Sequence, residues 1–254
     1  MAKNKKAAFK NADNMGKILG VRINSTNINK VLKKIYQRVI EGRKTLIFTP
    51  NPEFLVFASE KQNLWFKRLL NLADISLPDG IGLVWAAKIL GEPVRERVAG
   101  ADVVEGLLRL ANKYKWRVGV VGARRGNISE RRKQIKILSQ KYPEAEIAAL
   151  EDTLNWEKQK WHLVFACQGM GTQEKWAAEN LHKLKILAIM GAGGSLDFLT
   201  GFAPRAPFFI RKIGFEWFFR LLVQPWRWQR QIALVKFILL VFRQKLLDSF
   251  STKI

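Results

Sequence analysis

The chain has 254 residues, of which 44 are lysine or arginine and 21 are acidic, so its net charge is +23. An apolar content of 48% excludes general disorder and supports a core of useful size. The single cysteine, Cys167, excludes an internal disulfide and a multi-thiolate metal site. The longest apolar run, Ile232 to Phe242 with Lys236 inside it, covers as a helix only about half the hydrocarbon thickness of a bilayer, which excludes a membrane span.

The N-terminal segment "MAKNKKAAFKNADNMGK" is basic and polar, without the apolar stretch of a signal peptide. Residues 1–16 are expected to be a disordered basic arm. Short β-rich runs follow at 18–23 ("ILGVRI"), 45–49 ("TLIFT"), 74–77 ("DISL"), 116–122 ("WRVGVVG"), 146–150 ("EIAAL"), 162–167 ("HLVFAC") and 185–190 ("KILAIM"). Several are nearly continuous apolar runs, as buried parallel strands should be. Helical periodicity lies between them: 31–41 capped by Asn27 or Asn29, 53–70 with a break near Lys61, 80–90, 101–114, 129–141 and 173–184. This alternation predicts an α/β sandwich with a mainly parallel sheet over residues 17–202. After Gly201 the alternation stops. Residues 203–254 are basic, with only two acids, Glu216 and Asp248, and are punctuated by Pro204, Pro207 and Pro225. They are expected to form a separate helical appendage.

In such sheets ligands bind outside the carboxyl ends of the strands, so motifs that directly follow a strand carry the interest. "FTPNPE" puts Thr49 and Asn51 where the chain leaves the second run. Both can hydrogen-bond a sugar or a base, and Asn51 is equally a helix cap ahead of Pro52. "LPDGIG" puts Asp79 at a strand-to-helix turn beside Gly80 and Gly82, as a general base or an ordinary cap. "VRERVAG" brings Arg95 and Arg97 into a glycine turn, where guanidinium forks suit phosphate; solvated surface arginines are the alternative. Asp102 is expected to cap the next helix. "VVGARRGN" (120–127) is a glycine-containing loop that could cradle a phosphate, but it matches neither the dinucleotide fingerprint nor a P-loop. "CQGMGTQEKW" starts a helix at Gln173 and Glu174. In "MGAGGSLDF", Gly191, Gly193 and Gly194 allow close backbone approach to a ligand, or simply make a tight turn.

His162, His182 and Cys167 have no metal-ligand cluster beside them and read as structural. There is no D-x-D sequence for a divalent-ion clamp and no G-x-S-x-G nucleophile motif. A charge of +23 requires a polyanion or an anionic surface somewhere. Phe215, Trp217 and Phe218 are expected to pack the appendage on the core. Trp226 and Trp228, with the apolar run behind them, suit the headgroup level of a bilayer.

Taken in order, "TPNPE", "PDGIGLVWAAK", "ERVAGAD", "QEKW", "GAGGSLDF", "RAP" and the spaced "FEW…R…P-x-R-x-x-R" series resemble the WecG/TagA/CpsF glycosyltransferases, glycosyltransferase family 26, over roughly residues 17–245. The resemblance implies a Rossmann-like core of the GT-E type with a membrane-binding C-terminal appendage. It implies inverting, metal-independent transfer of N-acetylmannosamine, or a related N-acetylhexosamine or uronic acid, from a UDP donor. The acceptor would be polyprenyl-diphosphate-linked N-acetylglucosamine, in the synthesis of wall teichoic acid or another surface polysaccharide. It implies a cytoplasmic enzyme, peripheral on the inner face of the bacterial cell membrane, with no metal and no cofactor; a homo-oligomer stays open. Carried over residue by residue, Asp79 is the base, with Thr49 and Asn51 beside the reacting sugars. Arg97, Gln173, the Gly191, Gly193 and Gly194 backbone, Arg220, Arg227 and Arg230 take the donor and its diphosphate. Two departures bear on donor specificity: Gly171-Thr172 stands where the family has Pro-Lys, and "LEDTLNW" where Gly-Tyr-Phe is common. The competing readings are a non-catalytic nucleotide-sugar-binding relative and a basic nucleic-acid-binding protein, with aromatics stacking on bases. The run "IALVKFILLVF" and the placement of Asp79 and Gln173 favour the enzyme over nucleic acid.

Overall fold

The computed structural model describes residues 15–122, 124, 126–212 and 214–251. The expected basic arm lies outside the described residues, except for Met15 and Gly16, which already belong to a strand. That strand, β1 (Met15–Ile18), pairs antiparallel with β2 (Val21–Asn24), Ile18 opposite Val21. The single strand expected at 18–23 is therefore a hairpin. Its turn holds Leu19 at φ 48° and Gly20 at φ 82°, the positive-φ pair that a two-residue hairpin requires.

The remaining strands are β3 (Thr45–Phe48), β4 (Ile75–Ser76), β5 (Arg117–Val121), β6 (Glu146–Ala149), β7 (Trp161–Ala166) and β8 (Ile186–Gly191). They form one sheet in the order β4-β3-β8-β7-β5-β6. Every pairing is parallel: Ile47 lies beside both Ile75 and Met190, and Val118 beside both Leu163 and Ile147. The helices are α1 (Ile28–Ile40), α2 (Pro52–Ser59), α3 (Leu64–Leu70), α4 (Ile81–Leu90), α5 (Gly100–Lys113), α6 (Ile128–Lys141), α7 (Thr172–Asn180), α8 (Ser195–Leu199), α9 (Phe208–Lys212), α10 (Glu216–Val223) and α11 (Gln229–Ser251).

Successive side chains of a strand leave on opposite faces, and this divides the core in two. Ile47, Leu163, Phe165 and Met190 meet Val31, Ile35 and Val39 of α1 and Val103, Val104 and Leu107 of α5. Leu46, Phe48, Val164 and Ile189 meet Leu55, Phe66, Leu83 and Ala177 on the other face, with the hairpin's Ile18 and Ile23. The result is the expected sandwich of helices on a parallel sheet. The break near Lys61 is a short 3-10 turn, Lys61–Asn63, between α2 and α3. Asn27 caps α1, accepting the Lys30 N–H at 3.0 Å.

Two further expectations need correction. Asp102 is not the cap of α5: Ala99 holds that position, and Asp102 stands in the first turn. Its carboxylate instead accepts from Arg205 and, at 3.4 Å, from Arg211, fastening the start of the C-terminal segment to α5. Phe215, Trp217 and Phe218 do not pack on the core. They are exposed, and Phe215 and Trp217 stack on each other with ring centres 6.1 Å apart. The core contact comes from further along: α11 lies on α2 and α4 and buries Phe237 and Val241 in the same cluster as Leu55 and Leu83.

Candidate active site

Because all six strands are parallel, their carboxyl ends share one rim. β3 delivers Thr49 and Asn51 to that rim, β4 delivers Asp79, and β8 leads into the Gly191–Gly194 loop. Backbone bonds tie the first two together: the Asp79 N–H donates to Pro50 O, and the Val98 N–H to Pro78 O, both at 3.0 Å. Two glycines allow the approach. Gly80 takes φ 101° at the turn, and a Cβ on Gly82 would lie 2.9 Å from Pro52 Cγ. The starts of α2 and α4 therefore touch.

Asp79 is not a helix cap. Gly80 holds the cap position of α4, without a side-chain bond. The Asp79 carboxyl instead lies beside Gly100, whose N–H favours its charged form. A Cβ at Gly100 would stand 3.2 Å from Thr49 Oγ1 and 3.5 Å from Asp79 Oδ2, so the hydroxyl and the carboxylate flank this glycine. Part of the Asp79 surface stays accessible, yet protein crowds the carboxyl on most sides. Burial pushes it up to about 6, against the pull of Arg97 and with a further push from Glu216; the Gly100 N–H and Arg220 pull it down. Asn51 is a cap: its Oδ1 accepts the Phe54 N–H at 3.0 Å. This leaves Nδ2 without a protein partner among the described residues, so the amide can both cap and bind.

The Arg97 guanidinium reaches α10, where Nη1 meets Glu216 Oε2 at 3.3 Å with both side chains largely buried. Arg220, one turn further along α10, lies over the Phe198 ring with its guanidinium carbon 4.9 Å from the ring centre. Asp79, Thr49, Arg97 and Arg220 are thus brought together. Glu216 was missed as a site residue, although "FEW" was among the ordered motifs. Its signal was that it is one of two acids in a strongly basic tail. The side chains of Arg227 and Arg230 lie outside the described part of the structure.

Gln173 and Glu174 are buried at the first turn of α7. Gln173 Oε1 accepts the Gly193 N–H at 3.0 Å, and its Nε2 donates to Glu174 Oε1 at 2.6 Å. In this arrangement Gln173 holds the glycine loop rather than pointing both polar ends outward. Burial pushes the Glu174 carboxyl up to about 7, although the Gln173 amide and the Gly171 N–H both favour its charged form. Gly193, at φ 51°, makes the turn of this loop. Gly194 follows it, just ahead of α8.

Among its described residues, the loop after β5 does not present an open phosphate cradle. The Gly122 N–H is taken by Glu151 Oε1 at 2.6 Å. Arg124 is committed to Glu130 and, at 2.9 Å, to Asp197. Asp197 also accepts from Gln134 Nε2 at 2.7 Å. These interactions brace the loop against α6 and α8. Cys167 is buried, its thiol pushed up to about 11, and so is chemically quiet. His162 Nδ1 accepts the Arg117 N–H at 3.0 Å in a structural role.

A family model described as the glycosyl transferase WecG/TagA/CpsF family matches residues 16–250. The chain belongs to this family. Among its relatives is a Bacillus subtilis (strain 168) protein named N-acetylglucosaminyldiphosphoundecaprenol N-acetyl-beta-D-mannosaminyltransferase, 31% identical over 234 residues, 89% of each chain. A protein of the same name from Bacillus spizizenii is 31% identical over 214 residues, 81% of each chain. One from Staphylococcus aureus (strain NCTC 8325 / PS 47) is 27% identical over 225 residues, 84% of this chain and 85% of the relative. The chain is therefore a glycosyltransferase.

Proposed function

We propose that this glycosyltransferase moves N-acetylmannosamine, or a related N-acetylhexosamine, from a UDP donor to polyprenyl-diphosphate-linked N-acetylglucosamine with inversion. The observation that carries this reading is the pairing of Asp79 with Thr49 across Gly100, next to Arg97 and Arg220. An inverting transfer needs one carboxylate to take the acceptor hydroxyl's proton as that oxygen attacks the anomeric carbon. The Asp79 carboxyl, raised toward neutrality, suits that task better than an ordinary surface aspartate. The bond from the anomeric carbon to the UDP oxygen breaks as the new glycosidic bond forms, and negative charge grows on the diphosphate. Arg97 and Arg220 supply fixed positive charge beside the base, and we assign charge neutralisation to guanidinium groups rather than to a metal ion. Arg227 and Arg230 complete the set by resemblance. Thr49 and the Asn51 amide orient the sugars at the strand ends, and fixed orientation contributes a large share of the rate.

An acceptor carried on a polyprenyl chain would bring the reaction to a membrane surface. Among the described residues no helix is long and apolar enough to cross a membrane. α10 and α11 nevertheless expose a run of large apolar side chains: Trp217, Leu222, Val235, Leu239, Phe242 and Leu246. On α11 the exposed set recurs every three or four residues, one stripe of the helix. Lys236, Arg243 and Lys245 are exposed beside it. Such a surface suits an interfacial helix on anionic lipid, each basic residue contributing about 1 kcal/mol near the headgroups. We therefore propose residues 203–254 as a membrane-associating appendage that carries Arg220 to Asp79. The test is UDP release from UDP-N-acetylmannosamine with a lipid-linked N-acetylglucosamine acceptor. Absence of UDP release with every N-acetylhexosamine donor offered would sink the reading.

A further inference from the structure

We infer that Glu174 is a positioning residue: it fixes which way the Gln173 amide faces and, through it, the conformation of the glycine loop at the donor end of the site. The inference deepens the donor-binding reading of that loop and rests on it for its functional consequence.

The starting observation is a chain of three hydrogen bonds in a buried place. Glu174 and Gln173 are 1% and 3% exposed. Glu174 Oε2 accepts the Gly171 N–H at 2.7 Å, and Oε1 accepts Gln173 Nε2 at 2.6 Å. Gln173 Oε1 then accepts the Gly193 N–H at 3.0 Å. The relay links the start of α7 to the loop after β8. It needs room: a Cβ at Gly191 would stand 3.1 Å from Glu174 Oε1 and 3.2 Å from Gln173 Nε2.

A glutamine amide has nearly the same shape in its two orientations, so packing does not choose between them. The partners choose. Only an acceptor-only group next to Nε2 guarantees that Oε1 faces the Gly193 N–H, and an ionised carboxylate accepts with both oxygens. If the amide turned over, Nε2 would face the Gly193 N–H, donor against donor. Helix capping explains only half of this. It accounts for Oε2 on Gly171, but not for Oε1 on Gln173. Burying a carboxylate is expensive unless it is compensated, and among the described residues Glu174 forms no salt bridge. A glutamine at this position would have the same shape and would be easier to bury. What glutamine lacks is the second acceptor. With Oε1 of that glutamine on Gly171, its NH2 would meet Gln173 Nε2 and turn the amide away from Gly193.

The experiment uses the full chain with 15N-labelled glycine at pH 8, above the Glu174 value of about 7 so that the carboxyl is ionised, and reads amide hydrogen exchange at Gly193 and Gly119. Gly119 lies in the middle of β5 and reports global stability. In Glu174→Gln, exchange at Gly193 is expected to rise at least about tenfold, the scale of one mispaired buried hydrogen bond, while Gly119 stays unchanged. In Gln173→Glu/Glu174→Gln the donor and acceptor trade places, and Gly193 protection should return. A Glu174→Gln chain that fails to fold while the swapped pair folds supports the same assignment. Unchanged Gly193 exchange in Glu174→Gln overturns the inference, as does a swapped pair no better protected than the single variant. UDP titration of the unsubstituted chain and of Glu174→Gln gives the functional arm, expected to show about tenfold weaker binding and a raised donor KM with kcat within about threefold. If the unsubstituted chain binds no UDP, the donor reading of the loop fails, and the exchange arm still decides the role of Glu174. Equal UDP affinity in the two proteins removes the functional consequence.

Discussion

Asp79→Asn tests two properties of one carboxyl. Burial raises the Asp79 carboxyl from 3.8 to about 6, and the excess over Arg97, Arg220 and the Gly100 N–H is what keeps it there. A general base works only when ionised. With a value of about 6, the ionised fraction is about nine-tenths at pH 7 and about one-tenth at pH 5, so kcat/KM should fall about tenfold across that interval, since it reports the free enzyme. Glu216→Gln removes a neighbouring negative charge and releases Arg97 from its ion pair. Both effects favour the charged form, so the acid limb moves to lower pH. Stability follows the opposite course. A folded-state value above the unfolded one gives stability that is present below about 3.8 and lost as pH rises through about 6. At pH 7 the aspartate is therefore a burden on the fold. Asp79→Asn should raise stability at pH 7 by on the order of 1–3 kcal/mol while lowering turnover about 10²–10⁴-fold. The assays are UDP release from pH 5 to 8 and denaturant unfolding at pH 4 and pH 7. A flat rate profile, or an Asp79→Asn protein no more stable at pH 7 than at pH 4 relative to the unsubstituted chain, would refute the reasoning.

Gly100→Ala places a methyl 3.2 Å from Thr49 Oγ1 and 3.5 Å from Asp79 Oδ2; kcat should drop at least about tenfold through misplacement of the reacting groups, with the melting temperature little changed, and full activity would show that this spacing does not matter. Phe237→Ala leaves a hole where α11 meets the core and should cost about 3–5 kcal/mol in urea unfolding; a change under about 1 kcal/mol would mean that α11 is dispensable to the core. Leu239→Glu with Phe242→Glu alters only exposed positions; sedimentation with anionic vesicles should weaken at least about tenfold, with UDP affinity unchanged, and equal sedimentation would place the membrane contact elsewhere.

The sheet was readable because most of its strands are nearly unbroken apolar runs, buried on both faces. The hairpin was not, because "ILGVRI" keeps strand-like residues on both sides of a two-residue turn and only Gly20, at φ 82°, marks the reversal. Asp102 looked like a cap because acids favour helix starts generally; its tie to Arg205 and Arg211 spans more than a hundred residues and has no local signature. Thr49, Asn51, Asp79 and Gln173 could be placed at strand ends from the pattern alone. That Gln173 spends its oxygen on Gly193, and that Glu216 takes Arg97, depends on contacts between distant segments. The aromatic tail misled for a related reason. Helical spacing identifies a face but not what covers it, and Trp217 and Phe218 face outward.

The central claim is the transfer itself. Incubated with UDP-N-acetylmannosamine and a polyprenyl-diphosphate-linked N-acetylglucosamine, the chain should yield a lipid-linked disaccharide, resolved by mass spectrometry, with one UDP released per product. Asp79→Asn should yield neither. Disaccharide formation at the same rate by Asp79→Asn, or no product from the unsubstituted chain with any N-acetylhexosamine donor, would contradict the account.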